Sequence, residues 1–481
     1  MVGLNRTSAE SVFFVLPFFL MAGVALQSAG LYFCLVLIPL LCAWPLPRGA
    51  QRVVVSTAML LAACYFLPIV IQSIVALSAD PLRSCVVDPP RIKSCDLTPQ
   101  AWLKSPVSAA FAGLAFGWII IAFRKSRDSN LSVDNASVVA NTPGGNDRRL
   151  ELFSRGLMYA SVVFFVYGVC QHITGFNILS ADRILADEHR MPNGRYRIFS
   201  FYGHPLSLAG ASLVWVGISA VAAQEAFANK GRVFGLRLID WLIVAAIQTG
   251  NVYMSGGRTA LLVALLFWGI IVLSVLWQSA KNVFLPRLFP NRPQAPILFT
   301  VKLLLALCSV GVGVFLYSLG PDWFSSRGVG GGTLGQGPLG DRPLFWQTYL
   351  SMWRESPFFG QGYFAIEHGV RTQFYIKEGF AALRDKFNAH NIFLEVLGIS
   401  GIVGLFAFLG ILVLLYLNLK VLAGNSRERR WLLKGLLFAL VANLLHGLTQ
   451  DTFFDSAVTA CYLGVLGLFV VPPLKSKILN S

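Results

Sequence analysis

A chain of 481 residues that is 55% hydrophobic and only 13% charged carries more apolar side chain than a water-soluble core can absorb. Its 39 Lys and Arg against 23 Asp and Glu are scattered in short clusters between apolar runs, which excludes a nucleic-acid-binding domain and points to charge that sets membrane topology. The class that remains is an all-α polytopic membrane protein, read as one domain over residues 1–481.

Apolar runs, each sufficient to cross ~30 Å of hydrocarbon, begin near Ser11, Ala29, Val53, Val107, Arg155, Pro205, Leu238, Thr259, Phe299, Asn391, Trp431 and Ala457, predicting about twelve spans. The first follows only Arg6 and has no small-residue cleavage site, so it reads as a retained helix. Every second loop is positive: Arg48 and Arg52; Arg124, Lys125 and Arg127; Lys230, Arg232 and Arg237; Lys281, Arg287 and Arg292; Lys420, Arg427, Arg429 and Arg430; Lys475 and Lys477. The positive-inside rule makes those loops and both termini cytoplasmic. Residues 124–150 are polar and turn-rich and read as a flexible cytoplasmic linker.

Three of the outward loops are long: Ala79 to Pro106, Ile173 to His204 and Gly320 to His390. Cys85 and Cys95 share the first of them, and their spacing allows a disulfide in an oxidising compartment without requiring one; the other six cysteines sit inside apolar runs as small hydrophobes. The largest loop, 320–390, opens with a Gly-rich stretch that lacks Walker spacing and reads as a mobile lid. Aromatic and apolar residues at helical spacing over Leu344 to Trp353 and Lys377 to Phe387 predict short helices at the membrane surface.

Ionisable residues are sparse in the apolar stretches, chiefly Asp240, Lys302, Glu395, Lys434 and His446, whereas a proton-coupled transporter needs carboxylates or a relay near the midplane. Charge gathers instead on the outer side, as Arg195, Arg197, Arg258, Arg327, Arg342, Arg354, Arg371 and Arg384. A guanidinium stays charged and offers two parallel donors, which suits phosphate oxygens, and a diphosphate needs several such groups. For any single arginine, snorkelling toward headgroups is the competing reading. Arg258 is the exception, because "MSGGRTALL" holds it at a turn too short to wander, beside small residues that permit close approach.

Among six histidines, His172 and His446 lie toward span ends and His189 and His368 in loops. His204, before the proline of a span, is equally a structural residue or a ligand. His390 stands where the long outer loop re-enters the membrane, with water access and low dielectric, a position from which imidazole can take a proton from a hydroxyl near neutral pH. Metal-ligand spacings and a GxSxG elbow are absent, so metal and serine hydrolysis lack support.

Four segments carry a resemblance to the bacterial O-antigen ligases and the related Wzy-type O-antigen polymerases. "RIFSFYGHPLSLAG" is similar to the segment before the sixth span, with Leu206 where members often have Asn. "SGGRTALL" resembles Ser-x-Ser-Arg, with Gly257 in place of the second Ser. "DRPLFWQTYLSMWRESPFFGQGYF" resembles the family's Arg, Trp, then Pro-x-x-Gly-x-Gly stretch. "HNIFLEVLGISGIVG" matches His-Asn, nine residues, Gly, two residues, Gly at His390, Asn391, Gly401 and Gly404.

The resemblance implies transfer of a glycan from a polyprenyl diphosphate carrier to an acceptor hydroxyl, at the periplasmic face of the bacterial inner membrane. It implies Arg258 on the diphosphate, with Arg342 and Arg195 or Arg197 as further clamps, and His390 as general base on the acceptor hydroxyl or as the group that orients it. His204, Asn391 and Trp346 are expected in support, and no metal or other cofactor is expected. Lipid A-core, a growing glycan or a protein hydroxyl all fit as acceptor. A lipid-linked sugar transporter and a structural partner in an export complex are the readings from other classes.

Overall fold

The computed structural model describes parts of 14–21, then 148–178, 184–185, 189–191, 193–202, 204–228, 231–279, 341–361, 370–380, 389–423 and 427–450, with scattered positions of 458–465. The runs expected near Ala29, Val53, Val107 and Phe299, the residues Cys85 and Cys95, the 124–147 linker and the Gly-rich stretch lie outside these residues, as does most of the runs near Ser11 and Ala457. Eight helices are described: α1 (Arg148–Thr174), α2 (Pro205–Ala228), α3 (Leu238–Ser255), α4 (Arg258–Ser279), α5 (Arg342–Glu355), α6 (Val370–Lys377), α7 (Ile392–Ala423) and α8 (Arg427–Gly447). Among the described residues β-structure is limited to isolated bridges in the α1–α2 and α2–α3 connections.

Four of these helices contain segments long and apolar enough to cross a membrane: Leu150–Thr174, Pro205–Ala228, Arg258–Val275 and Ile392–Gly410. The chain is therefore a helical membrane protein. Helix starts match the hydropathic reading closely at Pro205, Leu238, Arg258 and Ile392. They precede it at Arg148 and Arg427, where hydropathy places the starts at Arg155 and Trp431. The added turns are polar outside and anchored inside. Leu150 and Phe153 are buried while Glu151 pairs with Arg155, and Arg427 lies over the Trp431 ring at 4.9 Å.

Local chemistry accounts for the helix ends. Pro205 pre-sets the first turn of α2, and His204 Nδ1 accepts the Leu206 N–H at 3.2 Å. Asp240, which hydropathy leaves inside an apolar run, caps α3 by accepting the Arg237 N–H at 2.8 Å. Gly256, at φ 71°, ends α3 in the left-handed region and lets α4 start two residues later.

Buried α2 is the hub, packing against α3, α4 and α8, with α1 outside α3. Trp215 and Trp241 fill the core, while Val162, Val163 and Val166 of α1 are exposed, as a lipid-facing surface requires. Gln248 of α3 donates to Ser161 Oγ of α1 at 3.0 Å, a polar tie suited to a hydrocarbon setting. Small residues bring α2 and α8 together: a Cβ on Gly217 would stand 2.7 Å from the Ala439 nitrogen. Gly217→Val is accordingly expected to lower the yield and melting temperature of the purified protein, whereas Gly410→Ala, where a Cβ meets open space, is expected to leave both unchanged.

The short helices α5 and α6 pack on each other, and α5 lies on α7. α5 coincides with the expected Leu344–Trp353 stretch. A second short helix is Val370–Lys377, closed by Gly379 at φ 81°, while residues 381–387 of the expected Lys377–Phe387 stretch lie outside the described residues.

α7 is not one rod. Gly401 sits inside it at φ 64°, ψ −165°, a backbone region open to glycine alone. Residues 357–361 fill the break: Gln361 N–H donates to Gly398 O at 2.9 Å, and Ile402 and Val403 donate to Pro357 O and Phe358 O at 2.9 and 3.2 Å. Irregular backbone in an apolar segment is tolerable when its polar groups are paired within the protein, and here they are.

Candidate functional site

The site is built where α4 begins, α8 ends and α7 begins. Asn391 caps α7: its Oδ1 accepts the N–H groups of Phe393 and Leu394 at 3.0 and 3.1 Å, and its Nδ2 donates to Leu448 O at 3.0 Å. That cap joins α7 to the segment after α8 and leaves the preceding residue, His390, at a positive φ of 50°. Outside glycine such a conformation persists only where its surroundings enforce it.

Those surroundings are buried and polar. On the N-terminal side of His390, the Ala389 N–H donates to Glu395 Oε2 at 2.7 Å, and Glu395 also accepts from the Tyr349 hydroxyl at 3.4 Å. Arg371 of α6, itself buried, bonds the same Tyr349. Burial first, then the Glu395 charge, holds the Tyr349 phenol well above its ordinary range, so it acts as a donor. Burial likewise raises Tyr375. The half-buried imidazole packs against the Phe345 ring at 5.5 Å, and its Nδ1 meets Gln450 Oε1 at 3.0 Å.

Two hydrogen bonds connect this histidine to the turn that carries Arg258. Thr449 Oγ1 donates to Thr259 Oγ1 at 2.7 Å, and the next residue, Gln450, contacts His390. Arg197 reaches the same turn from the α1–α2 connection: its Nε donates to Ser255 O at 3.0 Å, and the Ile198 N–H donates to Met254 O at 3.1 Å. Gly256 is required here, since a Cβ would lie 2.8 Å from Arg197 Nε. Arg342, at the start of α5, lies within electrostatic range of buried His446 near the end of α8. Arg258, Arg197, Arg342 and His390 thus surround one junction, and all four are half-buried.

The other expected residues take different places. Arg195 is exposed, and its charge lies near His172 at the end of α1. His204 and Asn391 are helix caps. Trp346 belongs to an aromatic cluster with Phe345, Tyr375 and Phe380. Among the described residues no group of three or more His, Cys, Asp or Glu side chains is placed to hold a metal.

Sequence reasoning passed over Gln450 and Thr449, took Thr259 only as the start of a span and Arg371 only as one of a group of arginines, and gave Glu395 and Tyr349 no role. Two signals were present. A polar "LTQD" run follows directly on an apolar helix, and a single carboxylate stands in the first turn of the most apolar helix, five residues after His390.

No curated protein matches the chain. A family model described as O-antigen ligase matches residues 243–409, which include Arg258, Arg342, Trp346, His390, Asn391 and Gly401 and stop before Thr449 and Gln450. From α3 through the break in α7, the chain is thus similar to the O-antigen ligase family, over a stretch that holds three of its candidate site residues, Arg258, Arg342 and His390.

Proposed function

We propose that the protein transfers a glycan from a polyprenyl diphosphate carrier to an acceptor hydroxyl at the periplasmic face of the inner membrane, both termini being cytoplasmic. The observation that carries this reading is the convergence of Arg258, Arg197 and Arg342 with His390 around the end of α8. Imidazole takes the acceptor proton as the acceptor oxygen bonds the anomeric carbon, and the bond from that carbon to the diphosphate oxygen breaks. The leaving polyprenyl diphosphate keeps its electron pair, and its developing charge falls among guanidinium groups. Such a leaving group asks for neither nucleotide nor metal. The acceptor is lipid A-core in a ligase or the growing glycan in a polymerase.

The test is a deletion strain complemented with wild type, Arg258→Ala or Arg258→Lys, with each protein quantified in membranes. Loss of surface polysaccharide and outward accumulation of lipid-linked glycan is expected in Arg258→Ala, with transfer lowered roughly 10²–10³-fold. Lysine, a point charge without the bidentate fork, is expected to recover only part of it. Single repeat units on the carrier indicate a polymerase, and long chains indicate a ligase. Normal polysaccharide in Arg258→Ala removes the diphosphate-clamp assignment and favours a carrier or scaffold role.

A further inference from the structure

We propose that Gln450 is a positioning residue that sets the tautomer of His390, leaving its Nε2 lone pair as the base; this rests on the His390 role proposed above. Gln450 is 3% exposed and follows α8, yet its amide oxygen stands 3.0 Å from Nδ1 of a ring contributed 60 residues earlier. An amide oxygen only accepts, so Nδ1 carries the proton and Nε2 does not. A general base needs this division, with one ring nitrogen fixed as donor to an orienting group and the other left unprotonated to receive a proton.

The backbone supports the same function. Gln450 is held in register by Thr449 on Thr259 and by Leu448 O on Asn391 Nδ2, so the acceptor is fixed relative to both His390 and the Arg258 turn. Removing the amide leaves a buried N–H that must turn the ring or find water, and either change misdirects the lone pair.

Among the described residues, charged and titratable groups on the elements that meet here include Arg342 and Tyr349 on α5, Arg371 and Tyr375 on α6, Glu395 on α7, His446 on α8 and Arg258 on α4. All are common to the variants compared, so differences between variants at position 450 report that position. A carboxylate there favours imidazolium and raises the histidine's titration point. Because neutral imidazole is the active form, the acidic limb of the rate profile then moves to higher pH.

The experiment uses full-length protein in phospholipid vesicles, supplied with the lipid-linked glycan that accumulates in the deletion strain and with membranes from that strain as acceptor. Rates are followed across pH for wild type, Gln450→Leu, Gln450→Glu and His390→Ala. Gln450→Leu is expected to lose about 10- to 100-fold in kcat with KM little changed, the scale seen when a functional histidine loses its outer partner. Gln450→Glu is expected to recover most of the rate above an acidic limb displaced upward by about one pH unit. An unmoved limb in Gln450→Glu, or wild-type kcat in Gln450→Leu, overturns the assignment of Gln450. If Gln450→Leu is not recovered folded, the near-isosteric Gln450→Glu decides alone. Full activity in His390→Ala overturns the base itself, an outcome distinct from failure at position 450.

Discussion

Purified His390→Ala is expected to consume lipid-linked glycan roughly 10²–10⁴-fold more slowly than wild type, the range associated with a positioned general base. The loss should appear in kcat, because the arginines proposed to hold the diphosphate sit on other elements: Arg258 on α4, Arg342 on α5 and Arg197 before α2. Retained donor binding with lost turnover, measured with radiolabelled lipid-linked glycan, is the outcome that assigns the defect to chemistry. The fold should tolerate the change. Alanine gives up the Phe345 ring contact and the Gln450 bond, while the Asn391 cap and the Glu395–Ala389 bond remain. A fall in donor binding equal to the fall in rate would assign His390 to substrate capture.

Gly401→Ala is expected to have an effect as large, by a different route. At φ 64° and ψ −165° an alanine backbone alone costs on the order of 1–3 kcal/mol. The new Cβ would also stand 2.3 Å from Phe358 O, a backbone atom held by the Val403 N–H and therefore unable to retreat cheaply. The turn at 357–361 must leave the break or α7 must straighten, and either change moves α5, which lies on α7. Expected results are a lower melting temperature, protease sensitivity near residue 357 and loss of transfer. Gly360 faces the mirror situation, with its Cβ direction 2.4 Å from the Ile399 carbonyl. An active, thermally normal Gly401→Ala protein would show that the broken helix is dispensable.

Helix positions were legible because hydropathy reads burial in lipid, and Pro205, Leu238 and Asn391 carried their own start signals. Arg148 and Arg427 were not, since a helix continues past the apolar zone wherever hydrogen bonding and side-chain pairs sustain it. His390 and Arg258 could be singled out because each sits at a constrained edge between loop and membrane. The break at Gly401 was visible only as a glycine in a pattern. Its cause lies in three backbone hydrogen bonds to a turn some forty residues away, and backbone pairing leaves no residue-type mark. Gln450 was hidden for a related reason. A lone glutamine after a helix resembles any polar end, and its meaning depends on which ring the chain folds against it. Arg195 and Arg197 look equivalent in sequence, yet the carbonyl of Ser255 receives only the second.

The stitched break in α7 also determines which of the candidate site residues are held to one another. Pinned by the 357–361 turn, α5 and the first half of α7 pack as one unit bearing Arg342 and His390, while Arg258 and Arg197 sit on the α3–α4 corner. Where these groups meet, the bonds across the joint include the hydroxyl pair of Thr259 with Thr449, the amide of Gln450 against the His390 imidazole, and the Asn391 amide on Leu448 O. The proposed reaction centre is thus a seam between two packed units, and its geometry depends on the bonds that cross that seam.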